Sequence, residues 1–222
     1  MNVEEKRTFM IELTNKIDKT LLPDMPRVTF GGIIEEIDTL DKARNAMARL
    51  SGCRAVGFDT ETRPSFQRGN HHKVALLQLS TYDTAFLFRL NKIGVPDCVA
   101  EFLSDPDILK IGVSVKDDFN ALRTRDGFTP RGFVDIPELC AGMGIEEKGL
   151  QKIYALFFHE RISKNQQLSN WETDCLTESQ RQYAAIDAWA CLRLYDYIME
   201  LNKTGEYRVV RRDAEESNTE EG

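Results

Sequence analysis

Apolar positions along this chain recur with two periods. Short alternating or continuous apolar runs at Val28–Ile37, Ala55–Glu61, Lys73–Thr81, Ala85–Leu90, Leu109–Val115 and Phe133–Ile136 predict strands. Gly31-Gly32 suggests a bend or bulge in the first of these, and Tyr82-Asp83-Thr84 joins the third and fourth as a hairpin. Apolar spacing of three and four predicts helices to Leu50, over Pro96–Leu103, Asp117–Arg125, Pro137–Met143 and Leu150–Phe158, and from Thr177 to about Leu201. The longest of them opens on T-E-S-Q, a capping box, and the first follows Asp38-Thr39, which supplies N-cap chemistry. Phe9, Met10, Leu13 and Ile17 have helical spacing, so residues 1–26 read as an arm or short helix stopped by Pro23 and Pro26. Residues 27–203 read as one α/β domain, a mixed sheet of about five strands flanked by helices. Residues 204–222 read as a tail whose last ten residues lack apolar anchors and are expected to be disordered.

A few acids interrupt this pattern. In A-V-G-F-D-T-E-T a strand ends in Asp59 and Glu61, two apart and therefore on one face. Two like charges that close are costly unless a cation lies between them, and a hard divalent ion takes carboxylate oxygens. A solvated strand end would tolerate them equally well. Asp187 falls within the apolar stripe of the long helix (Tyr183, Ile186, Ala190, Leu194, Tyr197, Leu201), and a carboxylate on that side needs an ionic partner or a metal. Tyr183 lies one turn earlier on the same face. Asp117 and Asp118 open another helix, where the helix dipole favours acids with or without a function. Yet they follow a strand's carboxyl end, as do Asp59 and Glu61, and α/β sheets place their sites there.

Composition narrows the class. With 222 residues, 41% apolar and 29% charged, the chain has ample sequence for a core. No apolar run approaches a membrane span, and Met1–Met10 carries acids where a signal peptide would be apolar. Five scattered cysteines without a C-x-x-C pair fit reduced thiols and a cytoplasmic location. A net charge of −7 argues against non-specific coating of nucleic acid, but an acidic site filled with divalent cations becomes electropositive. Adjacent His71 and His72 point apart with no third nitrogen ligand indicated, so zinc is not expected. No D-x-D-x-D-G loop marks a calcium site.

The acids and their surroundings resemble the tyrosine-type branch of the DEDD 3′–5′ exonucleases. Phe58–Glu61, F-D-T-E, is similar to the family's first motif. I-G-V-S-V-K-D-D-F-N-A-L is similar to its second, where a spacing of six from Gly112 selects Asp118 over Asp117. Y-A-A-I-D-A at Tyr183–Ala188 is similar to its third. V-A-L-L-Q-L-S at Val74–Ser80 and L-S-N-W-E-T-D-C-L-T-E-S-Q at Leu168–Gln180 resemble the connecting text. A sister branch carries His where Gln182 stands here. The resemblance covers roughly residues 27–200 and is nearest to the exonuclease domain of the Werner syndrome helicase and its stand-alone relatives, with RNase D further off.

The resemblance implies a ribonuclease H-like fold and metal-dependent hydrolysis of nucleic acid from the 3′ end, releasing nucleoside 5′-monophosphates. Asp59, Glu61, Asp118 and Asp187 would hold two divalent cations, Mg²⁺ or Mn²⁺, and Tyr183 would orient the attacking water. DNA is the favoured polymer, because RNase D proteins usually carry a further C-terminal helical domain. RNase D-like RNA trimming is the alternative, and a non-catalytic nucleic-acid-binding domain of the same fold a more distant one. Candidate substrate contacts are the Thr60 and Thr62 backbone, Phe66 as a wedge at the 3′ base, and Lys164 on phosphate. Trp171 is either a stacking platform for a base or core. Arg63, Arg68, His71 and His72 form a loop that could touch phosphate, although loop cations are commonly just solvated.

Overall fold

The computed structural model describes residues 10–65, 72–126 and 128–212. Its elements are β1 (Ile11–Thr14), β2 (Ile33–Ile37), α1 (Leu40–Leu50), β3 (Ala55–Thr62), β4 (Val74–Ser80), β5 (Thr84–Phe88), α2 (Leu90–Ile93), α3 (Asp97–Ser104), β6 (Leu109–Gly112), α4 (Val115–Asp126), β7 (Phe133–Asp135), α5 (Ile136–Gly142), α6 (Leu150–Phe158), α7 (Glu178–Thr204) and β8 (Tyr207–Val210). Six strands form a mixed sheet in the order β2-β5-β4-β3-β6-β7, with β4 antiparallel to both its neighbours and the other pairs parallel. Each of the six stretches read as a strand enters it, so the sheet has six strands where about five were expected.

Helices cover both faces. One core packs α1, α3 and α4 on Val56, Phe58, Leu77 and Leu79. The other packs α5, α6 and α7 on Ala85 and Ile111. β4 and β5 are buried along their whole length, which explains their almost unbroken apolar text. The capping box on α7 forms as its sequence predicts: Thr177 accepts from the Gln180 amide at 3.2 Å, and Gln180 accepts from the Thr177 amide at 3.0 Å.

The ends of the chain depart from expectation. The helical spacing from Phe9 to Ile17 yields no helix; Ile11–Thr14 is a strand, and Phe9 lies outside the described residues. β1 pairs in parallel with β8, in the region read as a tail, and Leu13, Tyr207 and Val209 pack onto the α6–α7 core. Glu12 accepts from Arg208 Nε at 3.0 Å across this pair. Residues 213–222, expected to be disordered, lie outside the described residues. The strand expected from Val28 begins only at Ile33, because Arg27 bridges Arg161 and draws that segment off the sheet.

Candidate active site

β3 lies at the middle of the sheet between antiparallel β4 and parallel β6. Val56 and Phe58 point into the α1–α3–α4 core, so Gly57, Asp59 and Glu61 face α7. The helix crosses this face in close contact. A Cβ on Gly57 would lie 1.8 Å from the Ala188 carbonyl oxygen. Only a glycine permits that approach, and it sets Asp187, the residue before Ala188, over the two acids of the strand. Carboxylate oxygens of Asp59, Glu61 and Asp187 all lie within 4.8 Å of one another. Asp187 is buried, and its Oδ1 has no hydrogen-bond partner among the described residues.

Tyr183 sits one turn earlier on α7, and its hydroxyl bonds the Asp187 carboxylate. Behind it, Trp171 is fully buried with ring centroids 6.0 Å apart. Gln180 Nε2 donates to the Asn170 carbonyl at 3.2 Å, tying the Trp171 segment to the start of α7.

Asp118 arrives from the other side of β3. Its Oδ1 accepts a short hydrogen bond from the Thr60 hydroxyl, which points away from Asp59 and Glu61. Asp117 is exposed, whereas Asp118 is half-buried. The turn leading into α4 places Ser114 at φ 57°, and Asp135 Oδ1 holds the Ser114 amide at 2.7 Å. Three of the four acids therefore meet directly, while the fourth is held by a threonine at the end of the same strand.

The electrostatics follow from that crowding. Burial, then the charges of Asp187, Glu61 and Asp118, push the Asp59 carboxyl well above its ordinary value. Burial and the charges of Asp187 and Asp118 push Glu61 up to about 9. Burial raises Asp187 to about 7, opposed by the Tyr183 hydrogen bond, and Asp118 to about 6, opposed by the Thr60 bond. The Tyr183 phenol is raised further above its usual range by burial and by the charges of Asp187, Glu61 and Asp59, so it stays protonated and donates.

The expected substrate contacts divide. Thr60 spends its hydroxyl on Asp118, and its backbone pairs with Leu77 of β4 while its amide bonds the Asp59 carboxylate. Thr62 lies where the β3–β4 register shifts after Glu61. Lys164 is exposed in the loop after α6. Trp171 is corrected: with no exposed surface it cannot stack on a base, and it backs Tyr183 instead. Phe66, Arg68 and His71 lie outside the described residues. Arg63 pairs with Glu172 at 3.3 Å, and His72 Nδ1 lies 3.6 Å from the same carboxylate, so both face a protein acid.

Three residues around the site were not singled out from the sequence. Gln78 stands directly across from Asp59, fully buried, with neither amide atom partnered among the described residues. Its signal was a lone amide in an otherwise apolar central strand. Asp135 closes a short strand, at the same kind of strand end that drew attention to the other acids. Gly57 gave no local signal, because its role depends on α7.

Half-buried carboxylates converging on the buried Asp187, with no protein cation among them in the described residues, define the site of a metal-dependent nuclease. The chain belongs to the 3′–5′ exonuclease family, whose model matches residues 34–202. It is 29% identical over 206 residues to the bifunctional 3′–5′ exonuclease/ATP-dependent helicase WRN of Mus musculus, a match that takes in 86% of this chain and 14% of that protein. It is 31% identical over 197 residues to a 3′–5′ exonuclease of Arabidopsis thaliana, covering 80% of this chain and 67% of the other. The crystal structure of Escherichia coli RNase D, an exoribonuclease involved in structured RNA processing, superposes with a TM-score of 0.68 at 23% identity, over 77% of this chain and 45% of that one. The fold is ribonuclease H-like, and the chain carries a domain of the 3′–5′ exonuclease family while spanning only 14% of the length of the WRN relative. Among the described residues no helix is long and apolar enough to cross a membrane.

Proposed function

We propose that this exonuclease hydrolyses the terminal phosphodiester of a nucleic-acid strand with two divalent cations, releasing nucleoside 5′-monophosphates. The observation that carries this reading is the group of carboxylates gathered between β3 and α7, one with an unpartnered buried oxygen. An all-oxygen, strongly acidic donor set suits Mg²⁺ or Mn²⁺. Asp59, Glu61, Asp118 and Asp187 would hold the ions, which when bound supply a nucleophilic water and stabilise charge on the phosphoryl oxygens. Thr60 keeps Asp118 at the rim of the group. Tyr183 orients the attacking water as a hydrogen-bond donor. Trp171 fixes the ring that carries this hydroxyl.

DNA is the proposed preference, supported by the resemblance to the Werner-type domain. RNA is the second reading, favoured by the fold shared with RNase D. A cytosolic location is proposed from the five cysteines, none of which is in a disulfide. Digestion of 5′-labelled DNA and RNA oligonucleotides with Mg²⁺, Mn²⁺ or EDTA tests the reading. A metal-dependent ladder shortening from the 3′ end supports it, and the better polymer names the substrate. Absence of cleavage by folded protein with either metal overturns it.

Tyr183→Phe is expected to lower kcat about 10- to 100-fold, the worth of one hydrogen bond to a charged or developing nucleophile. The alkaline limb of the pH–rate profile should stay where it is, since the phenol is not the titrating base. A shift of that limb would make Tyr183 the base.

The metal-free protein is expected to lose stability as pH rises. Glu61 and Asp187 have folded values near 9 and 7, above their unfolded values. The folded state therefore binds more protons than the unfolded state, and their contribution is fully present below the unfolded values and lost as pH climbs through the folded ones. Thermal unfolding in EDTA should show Tm falling between about pH 5 and pH 9, and millimolar Mg²⁺ should restore it most at the alkaline end. A flat profile in EDTA would refute the crowding.

A further inference from the structure

A second feature adjoins the site and is built jointly by the N-terminal segment, which precedes the matched family region, and by the loop after α6. A cavity of about 570 Å³ lies between the N-terminal segment and the loop after α6. Lys19, Arg27, Lys152, Arg161 and Lys164 line it, and among the described residues no acid does. In a chain with a net charge of −7 this is a local inversion of sign. A second cavity of about 380 Å³ shares Arg27, Ile162, Ser163 and Asn165 with the first and reaches Tyr183; it too has no acid in its lining among the described residues. The two form one path from the cationic wall to the catalytic tyrosine.

The wall is held in place. Residues Lys19–Asp24 form a 3₁₀ turn capped by Asp18, which accepts from the Thr20 amide at 2.9 Å and pairs with Arg212 at 3.0 Å. The chain after it is joined to the α6 loop by the Val28 amide on the Arg161 carbonyl at 3.1 Å and by the Arg161 amide on the Pro26 carbonyl at 2.9 Å. Arg161 Nε is committed to the Met25 carbonyl at 2.9 Å, and Lys152 lies 3.6 Å from Glu147. Lys19, Arg27 and Lys164 are exposed, and among the described residues no carboxylate pairs with them.

We propose that this path binds the sugar–phosphate backbone of the substrate strand upstream of the scissile bond, with Lys19, Arg27 and Lys164 meeting successive phosphates. The proposal rests on the exonuclease reading above. It adds a grip that the N-terminal segment of this chain supplies, since Lys19 and Arg27 precede the matched residues 34–202. Charge complementarity names the occupant, and binding to phosphate with none to base edges makes the site indifferent to sequence.

The test compares a 12-nucleotide single strand with a dinucleotide, in Mg²⁺, for the wild type, Lys19→Ala/Arg27→Ala and Lys164→Ala. The double variant should raise KM for the long strand about tenfold with kcat unchanged, and leave dinucleotide hydrolysis as it was. Lys164→Ala should likewise raise KM for the long strand, to a smaller degree. In EDTA, anisotropy of the labelled 12-mer should give a log K against log [salt] slope shallower by ~1.4 for the double variant, at about 0.7 for each phosphate that no longer meets a cation. Equal effects on both lengths, or an unchanged salt slope, would overturn the cavity proposal. A wild type that cleaves neither length would overturn the exonuclease reading, and the anisotropy slope would still decide the cavity.

Discussion

Asp59→Asn is expected to abolish mononucleotide release while making the metal-free protein more stable. The side chain keeps its size, so packing beside Gln78 and under α7 is preserved. The substitution removes a charge from the midst of Asp187, Glu61 and Asp118. Metal stabilisation of a phosphoryl transition state is worth several kcal/mol, so the rate should fall by about 10³-fold or more. The same charge is costly in the fold without a cation, because burial and three neighbouring acids oppose its ionisation. At pH 8 in EDTA the variant should unfold at a higher temperature than the wild type, and Mg²⁺ should raise its Tm less. Retained activity would remove Asp59 from the site. Abolished activity with lowered stability would point to misfolding as the cause.

Gly57→Ala has the largest expected effect on the fold. The new methyl would meet the Ala188 carbonyl oxygen at 1.8 Å and its carbon at 2.6 Å, both backbone atoms of a long helix. A side chain can rotate aside; α7 can relieve the clash only by lifting off the sheet. Overpacking of cores commonly costs 1–3 kcal/mol, and a clash against backbone belongs at or beyond the top of that range, about 3 kcal/mol or more. Whatever remains folded carries Asp187 and Tyr183 in the wrong place, and a displacement of about 1 Å in a site of this kind costs about 10²-fold in rate. Urea unfolding with an activity assay checks both. Gly31→Ala is the control, since a Cβ there meets nothing within 4 Å. Wild-type stability in Gly57→Ala would refute the close approach of helix and strand.

Much of this was legible because it is local. The alternation that puts Asp59 and Glu61 on one face belongs to any strand, and the 3.6-residue period that sets Asp187 among apolar positions belongs to any helix. The capping box on α7 is written in four consecutive residues and forms as written. Trp171 shows where local reading stops: a tryptophan in a polar segment suits a platform as well as a core, and only the packing of α7 decides for core. The β1–β8 pair shows it again. Four residues near the start are made a strand by four near the end, and their own spacing, read alone, predicted a helix.

By itself, then, the sequence determined the strands and helices of the sheet and marked four acids and a tyrosine as candidates, because each is stated by residues within one or two turns or pleats of one another. Only the tertiary structure decided which of the acids meet. Asp59 and Glu61 face α7 and so join Asp187, across an approach that Gly57 alone permits. Asp118, on the opposite side of the same strand, is held at the rim by Thr60. The tertiary structure also set the cations of the N-terminal segment beside the loop after α6, on a path to Tyr183. The physical reason is that such proximity depends on how elements far apart in the chain bury their faces against one another, and no local period carries that information.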